Sequence, residues 1–174
     1  KRVVTQTLRD AASIKRYVEK CRRNRNACDI DAPILVVGGD RAAMAEHIRE
    51  AQTANGEALN LAPSGFLHSW NSRKKTKWYR SEDGCTSKDL SKAVTRYGPK
   101  VDCDEFPMNS MDLGGKSNYP QFVSLRYVPA GQNRSIGKMW ELMANASRMK
   151  SKPNKKAVVV AWEKIPLSFW LPDK

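Results

Sequence analysis

At 174 residues, 40% of them apolar, the chain is long enough to bury a substantial core in one domain. No apolar run approaches the roughly 18 residues of a membrane-spanning helix. Lys and Arg number 31 against 18 Asp and Glu, a net charge of +13, which excludes an acidic binding module and points to a polyanionic partner.

The cations cluster with rings in Arg73, Lys74, Lys75, Lys77, Trp78 and Arg80. Lys and Arg there suit phosphates and the indole suits a base. No cationic segment carries a broad apolar face, so nucleic acid is expected and a membrane is not. The four cysteines Cys21, Cys28, Cys85 and Cys103 contain no CxxC pair, and two histidines, His47 and His68, complete the zinc-ligand inventory. An even count in a basic chain of this size implies two disulfides and an oxidising compartment, hence secretion. Three pairings exist; the shortest loops favour Cys21 with Cys28 and Cys85 with Cys103. No leader is visible at Lys1-Arg2, and one is expected to have been removed or to precede this sequence.

In chain order, Ile14, Tyr17, Val18 and Cys21 fall at helical spacing and predict a helix over about 8–25, an N-terminal helical extension within residues 1–30. Ile34–Val37 reads as a buried strand, broken by Gly38-Gly39-Asp40. Those glycines lack the Lys-Ser/Thr of a phosphate loop. Asp40 is expected to cap a helix over about 41–54, stopped by Asn55-Gly56. His47 on that helix is read as a packing or capping residue, and His68 as a loop residue able to approach substrate. Residues 60–100 are richer in turn formers, with a short helix at Lys88–Tyr97. Residues 101–108 form a strand, Gly114-Gly115 a turn, 122–128 a second strand and 135–148 a helix whose Met139, Trp140 and Met143 face the core. A last buried strand spans 157–162. One α/β (α+β) domain over 1–174 is expected: a central mixed or antiparallel sheet, flanking helices, and a strand–strand–helix (ββα) unit over 101–148.

That unit gathers the groups phosphodiester hydrolysis needs. Asp102, Asp104 and Glu105 lie on its first strand, and Gln132-Asn133-Arg134 stand at the helix entrance. Glu141, eight residues after Asn133, returns to roughly the same side of the helix. A strand carboxylate suits a general base, the Asn amide oxygen a hard divalent cation, and Arg134 or Arg126 a bidentate phosphate contact.

The run Asp104-Glu105-Phe106-Pro107-Met108, then Gly114-Gly115, Arg126-Tyr127-Val128-Pro129 and Asn133-Arg134 with Gly137 resembles the signature of the NucA/NucB family, secreted bacterial deoxyribonucleases. More weakly, Ile34–Val37 and His47-Ile48-Arg49-Glu50-Ala51 resemble its early strand and helix. The resemblance implies a ββα-metal fold, similar to the His-Me finger nucleases, with Asp as the base. Asp104 would then be the base and Asn133 the metal ligand. Glu141 would join the metal site by orienting metal-bound water, with Glu105, Arg126 and Arg134 as supporting or phosphate-binding groups. Gln132 departs from the family, which has Asp or Glu there. The implied cofactor is Mg²⁺ or Mn²⁺, and the implied substrate DNA, cut with little sequence preference. RNA or tRNA cleavage by a toxin and a silent nucleic-acid-binding module are the alternatives. A monomer is expected, with an inhibitor or immunity protein as a further partner.

Overall fold

The computed structural model describes residues 16, 19, 23, 33–58, 67–69, 85–108, 123–148 and 156–171. The pairing of Cys21 with Cys28, the basic run 73–80 and the Gly114-Gly115 turn lie outside the described residues. Of the N-terminal helix, Arg16, Glu19 and Arg23 are helical, and Arg23 pairs with Glu19 one turn earlier.

The ordered elements are β1 (Ile34–Gly38), a short 3-10 turn (Gly39–Arg41), α1 (Ala42–Ala58), β2 (Leu67–Ser69), α2 (Ser87–Tyr97), β3 (Val101–Phe106), β4 (Ser124–Pro129), α3 (Ala130–Ala146), β5 (Lys156–Trp162) and β6 (Ser168–Trp170). They form two sheets: a four-stranded one in the order β2-β5-β1-β6, and the β3-β4 hairpin. The larger sheet is mixed, as expected: β5 runs parallel to β1, while β2 and β6 pair antiparallel at its edges. A strand flanked on both edges and covered on both faces has no polar side to show, and Ile34, Leu35, Val36 and Val37 are all fully buried.

The core lies on one face of this sheet. Leu35 and Val37 of β1 lie beside their partners Val159 and Ala161 of β5 on this face. Against them pack Met44, Ala45 and Ile48 of α1 and Ile136, Trp140 and Met143 of α3, with Phe106 and Val128 entering from the hairpin. Burying one such side chain contributes about 1.5–3 kcal/mol. The hairpin is thereby fixed against α1 and α3 through the same apolar cluster that seats the sheet. Met143 and Trp140 are core residues, and Met139 packs at the margin, as the periodicity of 135–148 predicts.

Several boundaries differ from expectation. Asp40 does not cap α1: its Oδ1 accepts from the Leu167 amide at 2.8 Å and its Oδ2 bonds Arg41. α1 runs through Asn55-Gly56 to Ala58, because a single Gly in a helix costs only about 1 kcal/mol. α3 starts at Ala130, so Asn133 and Arg134 lie inside its first turns rather than ahead of it. The strand expected over 101–108 stops at Phe106, before Pro107, whose missing N–H cannot continue the ladder. The segment after Trp162 turns back as β6 and covers the edge of β1. Gly38 and Gly39 permit that return: a Cβ at Gly38 would stand 1.8 Å from the Ile165 carbonyl oxygen, and one at Gly39 2.5 Å from that of Glu163. These glycines serve close backbone approach, not phosphate.

Candidate active site on the hairpin

Successive strand residues point to opposite faces, and directly paired residues share one. On β3-β4, Asp104 pairs with Arg126, Asp102 with Val128 and Phe106 with Ser124; Cys103 pairs with Tyr127 and Glu105 with Leu125. The first set faces α1, α3 and the core. The second faces α2, with Cys85, Val123 and Leu125 as a small cluster of their own. Asp104 and Glu105, adjacent in sequence, therefore project to opposite sides of the hairpin. Both are buried.

Each polar residue on the core-side face is tied to a helix. Asp102 accepts from Arg134 of α3 through Nε at 3.1 Å and Nη2 at 3.3 Å. Arg126 donates to Glu50 at 2.5 Å and to Glu46 at 3.4 Å, both on α1. Asp104 Oδ2 lies 2.7 Å from Nδ1 of His47, also on α1, and His47 Nε2 lies 3.1 Å from the Ser124 hydroxyl. A histidine thus lies against the first strand of the ββα unit. Of the two roles expected for His47, packing holds and capping does not: it is buried on the core side of α1, a turn inside the helix. The signal that locates it is weak in the sequence, because the contact spans 57 residues.

The two helix N-termini meet beside this face. Gln132 in the first turn of α3 accepts through Oε1 from the Ala43 and Met44 amides of α1, at 3.1 and 3.3 Å. Arg41 donates to the Ser135 hydroxyl at 2.7 Å, and that hydroxyl donates to the Gln132 carbonyl. The departure at position 132 therefore has a structural account: its carboxamide satisfies two amides that α1 leaves without intrahelical partners.

On the far face a disulfide joins Cys85 to Cys103, one residue before Asp104. Tyr127 donates to the Cys85 carbonyl at 3.2 Å. Immediately after Cys85, Thr86 and Asp89 form a reciprocal capping box at the start of α2. The Thr86 hydroxyl and amide hold the Asp89 carboxyl below its ordinary range. Where α2 meets β4 there is an open cleft of about 340 Å³ lined by Lys92, Arg96, Tyr97, Arg126 and Tyr127. Lys88, Lys92 and Arg96 repeat every fourth residue, a cationic stripe along α2 in addition to the basic run at 73–80.

Of the other expected site residues, Asn133 is half-buried in α3 and Glu141 is exposed two turns further along. Among the described residues no three His, Cys, Asp or Glu side chains converge as an all-protein metal cage. None of the described helices is long and apolar enough to cross a membrane.

The hairpin β3-β4 is followed directly by α3, and its first strand carries a buried carboxylate, Asp104, against His47 of α1. The family model Deoxyribonuclease NucA/NucB matches residues 50–160, from the middle of α1 through most of β5. The chain belongs to the NucA/NucB deoxyribonuclease family and is a nuclease with DNA as its substrate. The match covers well over half of the sequence and includes the whole hairpin and α3; β1 and His47 lie before it. No curated protein matches the chain.

Proposed function

We propose that the chain is a secreted endonuclease that hydrolyses backbone phosphodiesters of DNA with a divalent metal ion and little sequence preference. The observation that carries this reading is Asp104, buried on the first strand of the hairpin inside the family span, on the face whose Asp102 is tied to α3, the helix that bears Asn133. The net charge of +13 supports a phosphate-dominated interface rather than base readout. The Cys85–Cys103 bridge supports an oxidising destination.

In the reaction, Asp104 accepts a proton from the attacking water as the water oxygen bonds to phosphorus and the ester P–O bond breaks. The departing oxygen takes a proton from solvent water and leaves as the hydroxyl of the second chain end. Arg134 presents its guanidinium at the mouth of the site, pre-aligned by Asp102, and can exchange one carboxylate bond for a phosphate oxygen. Arg126, held by two α1 carboxylates, orders β4 against α1 and is a supporting residue. Glu105 belongs to the opposite face and supports the packing there.

The donor set fits a hard cation that keeps most of its waters, and not a zinc-type cage. Asn133 offers one amide oxygen. Glu141, about 12 Å further along the helix axis at 1.5 Å per residue, would orient water bound to such an ion. Such an ion supplies charge stabilisation at the phosphate.

Cleavage of supercoiled plasmid and of total RNA, with Mg²⁺, Mn²⁺ or EDTA, tests the reading beside Asp104→Ala. Metal-dependent nicking of plasmid that falls by about 10²–10⁴ in the variant is expected. Cleavage that survives EDTA, or that Asp104→Ala leaves intact, overturns the metal or the base assignment respectively. Cutting of RNA alone replaces the substrate.

A further inference from the structure

Only four buried residues among those described are polar or charged: His47, Asp104, Glu105 and Ser147. Two of them touch each other. His47 is 1% exposed, between Met44 and Ile48 on the core side of α1, where a leucine would fill the same volume without desolvating two ring nitrogens. Both nitrogens are matched, and both partners come from the hairpin: Asp104 on β3 and Ser124 on β4. An ionised carboxylate only accepts, so with Asp104 ionised Nδ1 carries the proton, Nε2 is the acceptor, and the Ser124 hydroxyl donates to it. Asp104 thus fixes the tautomer, and Ser124, whose hydroxyl can donate or accept, satisfies the remaining nitrogen.

We propose that His47 is a positioning residue for the nuclease reaction. It holds Oδ2 of Asp104 at 2.7 Å and leaves Oδ1 to take the proton of the attacking water. The inference rests on Asp104 being the base. A carboxylate on a strand can rotate about its side-chain bonds; one oxygen fixed from α1 limits that rotation and orients the other. The neighbouring polar groups on the same face are secured likewise, Asp102 by α3 and Arg126 by α1, so the surroundings of Asp104 are ordered on both sides. A core histidine serving stability alone would contribute through burial and through any two hydrogen bonds. A positioning histidine contributes through one donor placed at Nδ1.

Three variants separate these: His47→Leu keeps the volume and removes both bonds, His47→Asn keeps a donor near the Nδ1 position, and Ser124→Ala leaves Nε2 without its partner. Plasmid nicking gives kcat and KM, calorimetry gives Tm, and ¹⁵N-histidine NMR of the unliganded protein reads the tautomer directly. With two histidines in the chain, the His47 signals are assigned by their loss in His47→Asn. The expected result for His47→Leu is a kcat loss of about 10²-fold at unchanged KM, the scale of a misplaced reacting group. His47→Asn recovers at least about tenfold of it, Ser124→Ala falls between, and the spectrum shows the proton on Nδ1. Equal rates for the folded Leu and Asn variants, or a proton on Nε2, overturn the proposal. If His47→Leu does not fold, the Asn and Ser124 variants and the tautomer decide it. Wild-type protein that cuts neither DNA nor RNA defeats the nuclease reading instead, and the tautomer then still decides whether His47 donates to Asp104.

Discussion

Changing Gln132 to glutamate asks whether this position belongs to the reaction or to the scaffold. Its Oε1 accepts from two α1 amides, Ala43 and Met44, and neither α1 nor α3 has an acidic residue in its first turn. A carboxylate there keeps both bonds, strengthens them by charge, and stands at the positive ends of two helices at once. Each helix-end interaction contributes about 0.3–1 kcal/mol at low salt, so Gln132→Glu is expected to stabilise by roughly 0.5–1.5 kcal/mol. At the 2–4 °C per kcal/mol of a chain this size, Tm rises by about 1–6 °C. Gln132→Ala abandons the two amides and costs about 1–2 kcal/mol, a fall of roughly 2–8 °C. Scanning calorimetry of the three proteins in low salt and in about 1 M salt measures this, and the glutamate gain shrinks in the second condition as screening shortens to about 3 Å. Plasmid nicking by Gln132→Glu stays within about twofold of wild type if the position is structural. A Tm that falls with glutamate refutes the capping argument. A gain of tenfold or more in kcat, on the order of 1.4 kcal/mol, would move the position into the reaction.

Other perturbations follow from the same geometry. Removing the Cys85–Cys103 bridge, whose ends are 18 residues apart, is expected to cost about 3 kcal/mol through the entropy of the unfolded chain, lowering Tm by roughly 6–12 °C; a double Cys→Ser variant compared with the reduced and oxidised wild type measures it. Asp89, held below its ordinary value of 3.8 by Thr86, adds stability above that value and loses the contribution as pH falls through the depressed one. The Tm difference between wild type and Asp89→Asn is therefore present at neutral pH and closes on acidification; a difference that widens in acid contradicts the capping box. Binding of DNA by the inactive Asp104→Ala protein should weaken linearly on a log–log salt plot, and Lys92→Ala with Arg96→Ala should reduce the slope by about one to two if the α2 cleft meets phosphates.

The parts of the fold legible in the sequence were those with short-range signals. The apolar runs of β1 and β5, the 3.6-residue periodicity of α1 and α3 and the alternation in β4 all record local burial, and the β3-β4-α3 order is sequential. The capping box of α2 is also written locally, in Thr86 and Asp89. What escaped was contact at a distance. Asp40 reads as an N-cap because its spacing suits one, and nothing nearby shows that the Leu167 amide, 127 residues away, takes its carboxylate. Gln132 reads as a lost acid because its partner is the backbone of another helix. His47 reads as packing because its two partners lie on strands that only tertiary structure brings to α1. β2 and β6, three residues each, are too short to carry a period.

The parallel pairing of β1 with β5 joins Ile34 to Val158, and β6 closes the other edge of β1 with residues 168–170. Most of the loop-closure entropy must be met before that central pair gains anything, so the pairing is intrinsically slow. On a ribosome adding about 5–20 residues each second, the strand that completes the sheet emerges among the last segments described. The hairpin and α3 are made earlier but have no sheet to rest on, and His47 has no fixed distance to Asp104. A nascent fragment ending before residue 156 therefore carries Asp104, Asn133 and Arg134 without the strand β5 that completes the core beneath them.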